Sequence, residues 1–123
     1  MKLKLKSLLF ASVAAMFLTG SAWAHHSHAN YNTTASNELE GTVKELRWMN
    51  PHTWIYLEVM DQGKPTVWVL EGGSPAGVQR NGWKKEDVSP GETLKVKCNP
   101  LKDGSRGCLV EKMSSKRLTE KDY

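Results

Sequence analysis

Between Glu38 and Met49 the apolar pattern changes sides partway along what reads as one strand. Leu39, Gly41 and Val43 share one parity, while Leu46 and Trp48 share the other. Side chains alternate across a strand with a period of two, so a straight strand cannot turn both sets inward. The pattern predicts a bulge or strong bend near Lys44-Glu45. A bent first strand can pair in both halves of a curled sheet, which helps a small barrel close.

The following segments fit that frame. Asn50-Pro51 breaks the ladder, because proline has no amide hydrogen to donate. Thr53 to Met60 alternates, with Ile55, Leu57 and Val59 on one face and Trp54, Tyr56 and Glu58 on the other. Asp61-Gln62-Gly63 is a hairpin turn candidate, and Thr66 to Glu71 is a third strand. Ser74 followed by Pro75 predicts a helix of about two turns, with serine as cap and proline at the first helical position. Val78 faces the core, Asn81-Gly82 stops the helix, and Trp83 packs beneath it. After the Ser89-Pro90-Gly91 turn, Leu94, Val96 and Cys98 form one face of a fourth strand. Cys108 and Val110 form one face of a fifth. The expected class is all-β: a small five-stranded OB-like barrel with one short helix between strands 3 and 4. An SH3-like barrel would share the strand count, and the helix placement favours the OB type.

The segment ahead of the barrel sets its compartment. Lys2, Lys4 and Lys6 precede an apolar stretch from Leu8 to Gly20, and Ala22-Trp23-Ala24 has the small residues of a signal-peptidase site. Residues 1–24 therefore read as a signal peptide, 25–37 as a flexible polar arm containing histidines, 38–113 as the barrel and 114–123 as a polar C-terminal tail. Cleavage after Ala24 leaves 99 of 123 residues, enough for one small domain. Three of the 17 basic residues leave with the leader and none of the 13 acidic ones, so the net charge falls from +4 to +1. Lys and Glu are interspersed, which argues against a nucleic-acid partner. The expected location is periplasmic or secreted, with no membrane span in the mature chain. In that compartment Cys98 and Cys108 read as a disulfide. The loop they close corresponds to roughly 2–3 kcal/mol of chain entropy.

Three segments together resemble an uncharacterised family of small exported bacterial proteins. They are Ala24-His25-His26-Ser27, Trp48-Met49-Asn50-Pro51-His52-Thr53-Trp54, and Gly73-Ser74-Pro75 through Gly82-Trp83. The resemblance implies export and this fold, and it brings no activity with it.

Two groups of residues carry the chemistry. His25, His26 and His28 form the candidate metal set. An N-terminal His25 would add its own amine as a chelate partner to its ring, and copper(II) leads the affinity order for such nitrogens. His52 lies in the connection between strands 1 and 2, flanked by Trp48 and Trp54 and near Met49. On an OB barrel that loop borders the usual ligand face, together with the loop between strands 4 and 5. His52, Trp54 and Trp48 are the candidate ligand-binding residues, with Trp54 the aromatic expected to be exposed. The alternative for His52 is a purely structural turn. Ser27 and Ser74 have no triad context, and Glu58, Glu71 and Asp103 are scattered, so no catalytic set emerges. The expectation is an exported, non-catalytic binding or interaction module for an unknown small ligand or envelope protein. The alternative is a periplasmic copper-binding protein; copper is the one cofactor considered.

Overall fold

The computed structural model describes residues 28–123. The expected leader and cleavage junction, with His25 and His26, lie outside the described residues. Six strands and one helix follow in the order β1 (Asn37–Arg47), β2 (Trp54–Asp61), β3 (Lys64–Glu71), α1 (Pro75–Arg80), β4 (Thr93–Pro100), β5 (Gly107–Ser115) and β6 (Lys121–Asp122). A single 3-10 turn, Lys85–Val88, follows α1.

Five strands close on one another. β1 pairs antiparallel with both β2 and β4. β2 continues to β3 and β4 to β5, and a short parallel pairing of β3 with β5 completes the ring. The fold is the expected OB-like barrel with one short helix between β3 and β4.

The bend in β1 makes this closure possible. Asn37 to Thr42 pair with β4, whereas Gly41 to Arg47 pair with β2. The register slips between Val43 and Glu45, at the place where the apolar parity changes. Val43 then lies opposite Leu57, and Leu46 opposite Ile55, so both parities reach the interior. Val43, Ile55, Leu57, Leu70, Leu94 and Met113 are buried there, with Val78 and Trp83 closing the end under α1. Burying each of the larger aliphatic chains contributes about 1.5–3 kcal/mol.

The local signals act as their chemistry requires. Gln62 and Gly63 both take positive φ, 48° and 78°, as a two-residue hairpin of matching twist needs. Ser74 caps α1, its Oγ accepting from the Gly77 amide at 3.1 Å. Cys98 and Cys108 are joined, with their Cα atoms 5.5 Å apart on neighbouring strands.

The structure departs from the sequence reading at both ends of the barrel. Residues 28–36, read as a free polar arm, lie along the barrel instead. Tyr31 is buried and forms an isolated β-bridge with Leu101. The Asn32 amide donates to the Pro100 carbonyl at 2.8 Å, and the Lys102 amide to the Asn30 carbonyl at 2.9 Å. One aromatic ring in a polar stretch supplies enough buried area to hold the segment down. Residues 114–123, read as a polar tail, contain β6, which pairs with Lys112 and Met113 of β5. Tyr123 is buried against Trp83, the two ring centroids 5.6 Å apart. The Trp83 Nε1 donates to the Asp122 carbonyl at 2.8 Å.

Candidate functional site

The ends of β2 and β3 meet where the β1–β2 connection returns to the barrel. The hairpin turn sets the register, and Trp54 therefore lies directly opposite Glu71. Both belong to the outward parity, because their neighbours Ile55 and Leu70 are fully buried in the core. Trp54 is half-buried on that outer face. Glu71 is only 3% exposed, although it points away from the core.

The packed N-terminal segment explains that burial. Tyr31 donates its hydroxyl to Glu71 Oε2 at 2.6 Å. The phenol is held protonated well above its ordinary range, first by burial, then by this hydrogen bond and by the carboxylate's charge. The other carboxylate oxygen, Oε1, lies 3.4 Å from His52 Nδ1. The same nitrogen lies 3.2 Å from the Gly72 carbonyl oxygen. A carbonyl can only accept, so this contact places the proton on Nδ1. In the neutral ring the Nε2 lone pair is then left unused.

His28 completes the group. Its ring stands edge-on to that of His52, centroids 5.9 Å apart at 62°. One ligand atom each from His28, His52 and Glu71 can be chosen such that all three lie within 4.8 Å of one another. Among the described residues no lysine or arginine nitrogen comes within 4 Å of the Glu71 carboxylate.

The backbone under the site is fixed tightly. The Thr53 amide donates to the Gly73 carbonyl at 2.9 Å, and the Gly72 amide to the Thr53 carbonyl at 2.9 Å. The Thr53 hydroxyl also donates to Gly73. A Cβ on Gly72 would collide with the Tyr123 ring and the Thr53 hydroxyl, so only glycine fits there. His52 thus leaves a rigid turn, with Glu71 on the facing strand end.

The sequence candidates fall into three groups. His28, His52 and Trp54 share one region. Trp48 instead packs against the core, and Met49 beside it is exposed. His25 and His26 lie outside the described residues. Glu71 and Tyr31 were passed over by sequence reasoning. A signal for Glu71 existed: a turn centred on Gln62-Gly63 pairs position 54 with position 71 by counting alone. For Tyr31 the signal was its isolation, a lone aromatic among Asn and Thr.

The comparisons with known proteins add the family and support the fold. The model of a family of unknown function, DUF6152, matches residues 13–111. No curated protein gives a significant match. Among solved structures, the mitochondrial single-stranded DNA-binding protein Rim1 of S. cerevisiae is similar, with a TM-score of 0.51 and 10% identity. The match covers 69% of this chain and 97% of that one. At such low identity the likeness concerns the fold alone. No helix among the described residues is long and apolar enough to cross a membrane.

Proposed function

The chain belongs to DUF6152, a family of unknown function, and we propose that it is an exported, non-catalytic binding module. Its ligand sits at the barrel end around His52, Trp54 and Glu71. The observation that carries this reading is the buried Glu71 carboxylate, held on one side by Tyr31 and open on the other to His52 and His28. A few convergent polar groups beside an aromatic, on a rigid scaffold, are what a small-ligand site requires. They lie at the β1–β2 connection, a loop that OB-type barrels use for binding. The packed segment also joins this loop to the β4–β5 loop through the Tyr31–Leu101 bridge. Export is supported by the leader pattern and agrees with the Cys98–Cys108 bridge. The charge balance of the processed chain favours a small ligand over nucleic acid.

The test is expression with the native leader and native mass spectrometry of protein recovered from the cell envelope. N-terminal sequencing should begin at His25; a retained leader would refute the export assignment, and a start at Ala22 the cleavage site. A co-purifying ligand should be present on the wild type and absent from folded His52→Ala and Trp54→Ala variants. A ligand retained equally by both variants, or no ligand on any form, would count against the site.

A further inference from the structure

The buried carboxylate raises a question that its two polar neighbours do not answer. Glu71 is almost wholly removed from water, and among the described residues its partners are a phenol and a histidine. Removing a carboxylate from water costs several kcal/mol unless a cation compensates it, and buried charges are accordingly paired or bound to metal. No permanently charged side chain among the described residues fills that role. A second imidazole, from the exposed His28, stands edge-on to His52 in the same group.

We infer that His28, His52 and Glu71 bind one divalent transition-metal ion, with copper(II) held more tightly than zinc(II). This rests on the reading of the barrel end as the binding site and names the class of its ligand. Two imidazoles and a carboxylate form a donor set for copper, zinc or nickel and a poor one for magnesium or calcium, which prefer oxygen. The order of affinity within that class follows the general series, in which copper(II) leads. The closest donor pair is His52 Nδ1 and Glu71 Oε1, 3.4 Å apart; an ion that joins them replaces the Nδ1 proton, and the ring then keeps its proton on Nε2. Tyr31 is the outer support for Glu71, holding Oε2 and leaving Oε1 to face His52. Donors on one such ion lie roughly 3 Å apart, since each bond is about 2.0–2.2 Å. The His52–Glu71 pair is already near that separation, and His28, whose ligand atom lies within 4.8 Å of theirs, closes on them by rotation of its exposed side chain.

The experiment is calorimetric titration of correctly processed protein, beginning at His25, with copper(II) and separately with zinc(II) in a buffer that does not bind metal. One ion should bind per chain, copper more tightly. His52→Ala, Glu71→Gln and His28→Ala should each weaken copper binding at least tenfold. The copper form should show electron paramagnetic resonance splitting from nitrogen ligands, reduced in His28→Ala. His28 is exposed, so its variant keeps the barrel intact and the result stays interpretable. Absence of binding at micromolar copper would overturn the inference. So would binding that survives His52→Ala and Glu71→Gln unchanged, because the ion would then be held by the N-terminal residues alone. A small organic molecule lost on His52→Ala, together with no metal binding, would overturn the metal assignment and leave the binding module standing.

Discussion

Tyr31 does two jobs with one side chain: its ring covers the outer face of the barrel and its hydroxyl satisfies a buried carboxylate. Tyr31→Phe keeps the first and loses the second. A hydrogen bond to a charged group contributes about 1.5–3 kcal/mol, so the variant should unfold at lower urea by a corresponding amount. An unchanged midpoint would show that Glu71 finds another partner. Tyr123 behaves differently. It is 7% exposed, and its hydroxyl has no hydrogen-bond partner among the described residues. Burial pushes it up to about 12, with the nearby Thr53 hydroxyl acting in the other direction. A tyrosine in the unfolded chain ionises near 10. Above that pH the unfolded state therefore loses its proton while the folded state keeps it, and ionisation favours unfolding. Stability should hold below pH 10 and fall as the pH rises towards 12. Tyr123→Phe should make that fall shallower, with Tyr31 supplying the remainder, and cost little at pH 7, since no hydrogen bond is lost. Equal falls in both proteins between pH 10 and 12 would contradict the assignment. Neither role was legible in the sequence, because both depend on what lies across a fold that local patterns do not reveal. Tyr31 meets Glu71 across 40 positions.

At the level of elements the sequence was informative wherever a periodic pattern met a turn. The parity change in β1, the Gln62-Gly63 turn, the Ser74-Pro75 cap and the inward cysteines all act locally, and each is present as read. β6 was missed because a two-residue strand has no period to detect, and its support comes from β5 and Trp83. The disulfide links β4 to β5 next to the loop that Tyr31 bridges. Replacing both cysteines by alanine should lower stability by roughly 2–3 kcal/mol. Unfolding of the double variant in urea, compared with the native protein under non-reducing conditions, measures this. An unchanged midpoint would mean that the loop is already constrained by its hydrogen bonds. Ser74→Ala removes the acceptor for the Gly77 amide. It should cost about 1 kcal/mol in the same assay.

For the molecule as a whole, the barrel is a scaffold and its N-terminal segment builds the site. β2 and β3 present His52, Trp54 and Glu71, but only the packed residues 28–36 bury the carboxylate and bring His28 to it. The expected separation of arm from barrel was a reading of composition, which records polarity and not what one tyrosine can anchor. The most direct measurement is nuclear Overhauser spectroscopy on isotopically labelled protein that begins at His25. The account predicts cross-peaks between the ring protons of His28 and His52, and from Tyr31 to the side chain of Glu71. Absence of both sets, with random-coil shifts for residues 28–36, would contradict it.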